Sequence, residues 1–105
     1  IAPTRSFWEL FLRARAVENH MFVAAPSRIG EDKGGAPGAF YYGESLIVDP
    51  MGEILAHGSA STEDLVWAEV DIEVARRQRK RWSYFKARVP EAYRPLYAPT
   101  SKVQL

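Results

Sequence analysis

FWELFLRARAVENHMFVAAPSRIG, Phe7 to Gly30, reads as one helix running straight into one buried strand. Ser6 followed three residues later by Glu9 has the form of a capping box, in which two side chains satisfy amide donors left open where a helix begins. Apolar residues then recur at Phe7, Leu10, Phe11, Ala14 and Val17, a helical spacing that puts them on one face, the main apolar face of the helix. Trp8 and Leu12 fall off that face. Two readings of them stay open: a helix at a subunit contact, or a Trp8 that roofs the domain's own core. Glu9 with Arg13, and Arg15 with Glu18, are spaced to pair across one helical turn, each worth roughly 0.2 to 0.5 kcal/mol, and mark a solvated or interfacial stripe. The period changes after Asn19. Met21 to Ala25 is wholly apolar, as suits a short strand covered on both sides.

At 105 residues the chain is one domain at most, and 47% apolar content is that of a globular protein with a core. No apolar run approaches the roughly 20 residues of a membrane helix, and no stretch has the charged start and apolar centre of a signal peptide, so no membrane partner is expected. Zero cysteines exclude disulfides, thiolate metal sites and a cysteine nucleophile within these residues, and make a reducing cytoplasm the default compartment. The chain begins with Ile1, which is expected of a processed product or of a piece of a longer polypeptide.

A net charge of +1 hides a polarity: 12 acidic and 5 basic residues precede Val74, whereas 9 basic and 1 acidic follow from it onward, about −7 against +8. Such asymmetry suits a basic terminal segment lying across an acidic body or an acidic partner subunit, or a nucleic-acid- or membrane-facing tail. Asp71 is a good N-cap for a helix from Ile72. That helix holds Arg76, Arg77, Arg79, Lys80 and Arg81, with Trp82, Tyr84 and Phe85 beyond. Cations with stacking platforms can bind single strands, but cations at a helix C-terminus are also favoured by the macrodipole, and the solvated or subunit-contact face outweighs the nucleic-acid reading. No nucleic-acid partner is expected.

Between these ends, Arg28 to Gly38 is expected to be a loop, because Lys33 to Gly38 carries three glycines and a proline. Its GGAPG lacks the lysine and hydroxyl residue of a P-loop. Phe40 to Asp49 is a second strand region, Asp49-Pro50-Met51-Gly52 a type I turn, and Glu53 to His57 a returning strand, which makes Ser45 to His57 a hairpin. After a polar link, Leu65 to Val70 is a further strand with Val66, Ala68 and Val70 towards the core. Ser83 to Leu105, rich in Pro, Tyr and Arg, is an extended tail that must dock to be ordered.

No complete catalytic constellation is present. His20 and His57 sit at strand edges without a metal-site or triad pattern. Ser45 follows Tyr42-Gly43-Glu44 but lacks the second glycine of a nucleophile elbow, which leaves it a strand hydroxyl bonded to backbone. Glu31-Asp32 and Glu63-Asp64 are loop carboxylates whose default is solvation.

LRARAVEN, the apolar strand, SRIG, YGES, LIVDPMGEIL, LVWAEVDIE and WSYFKARVPEAYRPL, in that order, resemble the C-terminal part of the nitrilase superfamily of carbon–nitrogen hydrolases, over about residues 7 to 96. The ending formed by Trp82, Phe85, Arg88, Pro90 and Tyr93 is most similar to N-carbamoyl amine amidases of the carbamoylputrescine amidase and β-ureidopropionase types. The resemblance implies an α+β fold, an αββα sandwich of which residues 1–96 supply the C-terminal portion and 97–105 a tail. It implies a cysteine nucleophile, a glutamate base and an oxyanion-stabilising lysine, all upstream of Ile1. The chain alone is therefore expected to be inactive, with no catalytic residue, no metal and no cofactor of its own. Ser27, Arg28, Tyr41 and Tyr42 are the implied pocket-wall residues, although Ser27-Arg28 stands where family members often carry Asn-Arg. Trp8, Arg13, Arg15, Glu18, Trp82, Phe85, Arg88 and Tyr93 are the implied subunit contacts of a cytoplasmic homo-oligomer acting on a small amide or N-carbamoyl substrate. A non-catalytic interaction module and a nucleic-acid binder remain the other function classes.

Overall fold

A computed structural model describes residues 5–97. Helix α1, Arg5–Asn19, leads into β1 (Val23–Ala25), β2 (Ile29–Glu31), β3 (Phe40–Tyr42), β4 (Leu46–Val48) and β5 (Ile54–His57). Helix α2, Ile72–Arg81, a 3-10 turn at Pro90–Tyr93 and a short α3, Arg94–Tyr97, follow. The strands form an antiparallel three-stranded sheet in the order β1-β4-β5 and a separate β2-β3 hairpin. The mixed helix-and-strand class is as the sequence implies. The expected tail at 97–105 lies, apart from Tyr97, outside the described residues.

The chain is already helical at Arg5, the first described residue, so Ser6 lies within α1 and does not precede it as a capping box requires; Glu9 pairs with Arg13 at 3.1 Å. Its end follows a precise chemistry of its own. His20 takes a left-handed conformation, φ 48°, donates its N–H to Val17 O at 3.2 Å, and lets Met21 N reach back to Ala16 O at 3.1 Å. This is the Schellman arrangement, with histidine in the position glycine usually fills.

The core is small: Ala16, Leu46 and Val48, with Trp8, Leu12 and Val23 packed against it. The sheet is thus met by the stripe Trp8, Leu12 and Ala16, four residues apart. Ala16 has no side chain beyond Cβ and is fully buried, so the helix can approach β4 closely there. Trp8 roofs the chain's own core. The main apolar face is turned away, and Phe7, Leu10, Phe11 and Val17 are between 40% and 61% exposed.

Several expectations need correction. Strand β1 is not covered on both sides, because Ala24 is exposed while Val23 and Ala25 are half-buried. The stretch from Arg28 is not all loop: Ile29–Glu31 pairs with Phe40–Tyr42 in the register Ile29 to Tyr42, leaving the glycine-rich part as the connection between two strands. Leu65–Val70 forms no ladder among the described residues, although it is extended and keeps the expected alternation at Val66 and Ala68, both half-buried, while Val70 is exposed. A strand needs a partner, and nothing described offers one.

The second strand region is broken at Gly43 and Glu44, both with positive φ, which separates β3 from β4. The Asp49–Gly52 turn is present, with Gly52 N to Asp49 O at 3.0 Å and the Asp49 carboxylate accepting from Met51 N and Glu53 N. Asp71 caps α2 by accepting from Glu73 N at 2.9 Å. Beyond α2 the chain is not simply extended, since Pro90–Tyr97 is helical. A radius of gyration of 18.4 Å exceeds the about 13 Å of a compact domain this long, so the described residues are more spread out than a compact domain.

Candidate functional site

Strand β1 leaves the sheet at Ala25, β4 enters it opposite at Leu46, and β5 leaves beside Leu46 at His57. These three chain ends therefore meet at one edge, and the residues just beyond them enclose a cleft of about 520 Å³. Its walls include Ser27, Arg28, Ser45, Ser59, Glu63 and Asp64. A second, more apolar cleft of about 290 Å³ lies on the other side of Ser45, between Ala24–Pro26 and Leu65–Val66.

The walls are tied by hydrogen bonds that follow from the strand pairing. Ser45 Oγ accepts from Ser27 N at 2.9 Å, joining the exit of β1 to the entry of β4. Gly58 N donates to Ser45 O at 2.7 Å and Gly43 N to Arg28 O at 2.9 Å. Asp64 accepts from Ser59 N at 3.1 Å, and Ser59 Oγ accepts from Ser61 N and Thr62 N, so the segment after β5 is folded upon itself.

The close approach explains Gly43. A Cβ there would lie 2.5 Å from Ile29 Cγ2 and 2.5 Å from Ser59 O, and φ is +64°. Only glycine serves.

Ser27 and Arg28, two of the four pocket-wall candidates, line the larger cleft. Tyr41 is one step removed: its ring lies 4.7 Å beneath the Arg28 guanidinium, and its hydroxyl donates to Asp32 Oδ2 at 3.2 Å. Tyr42 is held in the β2-β3 ladder opposite Ile29 and does not border the cleft. Ser45, Ser59, Glu63 and Asp64 were not among the candidates. Their signal in the sequence is indirect: the hairpin from Ser45 to His57 returns the chain to its own start, which brings residues 58 to 64 alongside Ser45.

Two carboxylates next to the cleft's walls, outside its lining, are held charged. Glu44 is held below the usual carboxylate range, first by its hydrogen bonds from Arg5, with Nε at 3.2 Å, against a desolvation that works the other way. Asp32 is also lowered, first by the Gly34 N–H and then by Arg28 and the Tyr41 hydroxyl, again against desolvation. The Gly34 amide is thus spent on Asp32 at 3.1 Å, and the glycine-rich turn presents a carboxylate where a phosphate cradle would need a cation.

The subunit-contact candidates divide by place. Trp8 donates its indole N–H to Glu44 O at 2.7 Å, and Arg13 Nε donates to Gly52 O at 2.8 Å, both joining α1 to the sheet's own turns. Arg15 and Glu18 pair with each other on the outer side of α1. Trp82, Phe85, Arg88 and Tyr93 are exposed, with the Arg88 guanidinium 4.9 Å from the Phe85 ring. His20, expected to be a strand-edge residue, is buried, stacks on Tyr84 at 4.8 Å, and has no partner for Nε2. Among the described residues no group of three or more His, Asp or Glu side chains is placed to hold a metal ion, and no helix is long and apolar enough to cross a membrane.

Comparison with known proteins places this architecture. The family model described as carbon-nitrogen hydrolase matches residues 3–80. The chain is 35% identical over 81 residues to the omega-amidase YafV of Escherichia coli K12, covering 77% of this chain and 30% of that protein. It is 30% identical over 97 residues to the N-carbamoylputrescine amidase of Arabidopsis thaliana, covering 89% and 32%. Among solved structures, a carbon-nitrogen hydrolase from Helicobacter pylori G27 superposes with a TM-score of 0.78 at 30% identity, over 89% of this chain and 33% of that one. The NitFhit protein of Caenorhabditis elegans gives 0.74 at 33% identity, over 86% and 21%. The chain spans about a third of the length of the curated relatives it matches. Alike in sequence along most of its length and alike in fold, the chain belongs to the carbon–nitrogen hydrolase family.

Proposed function

We propose that these residues form one wall of the substrate cleft of a cysteine-dependent amidohydrolase that cleaves C–N bonds of small linear amides or N-carbamoyl amines. The observation that supports this most is the meeting of Ser27 and Arg28 with Ser45, Glu63 and Asp64 around one polar cleft, in a chain of this family. In the reaction proposed, a glutamate takes the thiol proton, and the thiolate attacks the amide or ureido carbon. A lysine offsets the oxyanion charge. The C–N bond then breaks, the departing ammonia or amine takes the proton back, and water hydrolyses the thioester. The nucleophile cannot come from this sequence, which has no cysteine, so these 105 residues alone are proposed to be inactive. The activities for which the relatives are named, omega-amidase and N-carbamoylputrescine amidase, favour the two substrate classes.

The test is ammonia release by the full-length protein from a panel of N-carbamoyl amines and ω-amides, before and after replacing the cysteine upstream of Ile1. Turnover that survives the replacement sinks the mechanism. A second reading, a non-catalytic module that pairs subunits in a cytoplasmic homo-oligomer, is favoured by the exposed face of Phe7, Leu10, Phe11 and Val17. Full-length protein that assembles but hydrolyses none of the panel would support it in place of the first.

A further inference from the structure

The corner between β3 and β4 joins more of the molecule than a turn needs to. Gly43 and Glu44 are both left-handed, with φ of 64° and 60°. Glycine adopts this freely, whereas for glutamate it is a strained conformation that persists only where the surroundings over-determine it. They do so here. The Glu44 N–H donates to Ser59 O at 3.1 Å, its carbonyl accepts from Trp8 Nε1 at 2.7 Å, and its carboxylate accepts from Arg5 Nε at 3.2 Å and from Nη2. Two of the partners belong to the first turns of α1, and the third to the segment after β5. The next residue, Ser45, holds Ser27 through its hydroxyl and Gly58 through its carbonyl, and borders both clefts. A turn alone could use glycine at 44 as it does at 43. The carboxylate adds a second tie from the corner to the helix, through Arg5, beside the one the Glu44 carbonyl makes to Trp8.

We infer that Glu44 is a positioning residue for the substrate cleft: clamped between α1 and the segment after β5, it fixes Ser45, and through the Ser45 hydroxyl the Ser27–Arg28 wall. This rests on the amidohydrolase reading for its effect on turnover, but not for its effect on the wall itself.

The discriminating variant is Glu44→Gly in the full-length protein, because glycine keeps the left-handed turn without strain, keeps the backbone bonds to Trp8 and Ser59, and removes only the carboxylate tie to Arg5. The melting temperature is expected to stay within about 4 °C of the parent, since relief of strain offsets the lost ion pair. The Ser27 amide is expected to exchange with deuterium about tenfold faster, and KM to rise about fivefold with kcat within about twofold, the order that one loosened hydrogen bond produces. Glu44→Gln, which keeps an acceptor for Arg5, should fall nearer the parent. Should Glu44→Gly unfold the protein, Arg5→Gln frees the same carboxylate from the other side and carries the same expectations. A parental KM or a parental Ser27 exchange rate overturns the inference. If the parent hydrolyses no amide, the proposed function fails separately, and the Ser27 exchange rate alone decides whether the clamp exists.

Discussion

His20 closes α1 in a conformation that costs an L-residue free energy, and stacks on Tyr84 from there. The two effects oppose each other in mutants. His20→Ala loses the stack and keeps the strain, and should destabilise by about 1 kcal/mol or more, whereas His20→Gly recovers about 1 kcal/mol of strain and should be close to neutral. Urea unfolding of both variants in the full-length protein checks the difference. Gly43→Ala should cost at least about 2 kcal/mol in the same measurement, because its Cβ would meet Ser59 O and Ile29 Cγ2 at 2.5 Å. Glu44 supplies the pH dependence. Its pKa is depressed in the folded state, so its contribution is present above the ordinary carboxylate range and is lost as pH falls through the depressed value. Unfolding free energies measured from pH 7 to pH 3 should fall less steeply in Glu44→Gln than in the parent. None of these residues announces itself in the sequence. Left-handed φ at a histidine or a glutamate is decided by what surrounds it, and only the glycine beside Glu44 hints at a break in the strand.

At the scale of elements, α2 is the most legible. Asp71 followed by a run of long side chains predicts the cap that is observed, and Asp71→Ala should lower helix stability by about 1 kcal/mol, seen as faster amide exchange at Glu73 and Val74. The extent of α1, the Asp49–Gly52 turn and the β4-β5 hairpin are legible too, because each is specified by residues close in sequence. What is not legible is which face meets what. Five apolar residues on α1 outline the wider stripe, yet the narrower one wins the sheet, since Ala16 permits close packing and Trp8 finds an acceptor at Glu44. Likewise β2 is hidden because glycine and charge around it resemble loop composition, and its pairing with β3 is long-range information. For the site, local chemistry suggests no cleft at all. Resemblance points to Ser27 and Arg28, and only the fold adds Ser45 and the carboxylates after β5.

At the scale of the molecule, a small core and an uncovered helix face describe a part that is completed by other residues. For the homo-oligomer proposed above, replacing Leu10 and Phe11, 61% and 60% exposed, by glutamate should shift sedimentation towards the monomer and lower the apparent unfolding free energy by what assembly contributes at that concentration. An unchanged oligomer would remove this face from the contact. The nesting of the strands carries one more consequence, for the order of assembly. Val23 must find Val48 across 25 positions, and Ala25 must find Leu46, but the β2-β3 hairpin lies wholly inside that interval and draws its ends together. Closing the inner hairpin first shortens the effective loop that the outer pairing has to close, so β1 should join a preformed β4-β5 pair late and by zipping outward from Arg28 and Gly43. Changes in the β2-β3 connection should then act on the rate of refolding more than on the rate of unfolding, a separation that stopped-flow chevrons measure directly.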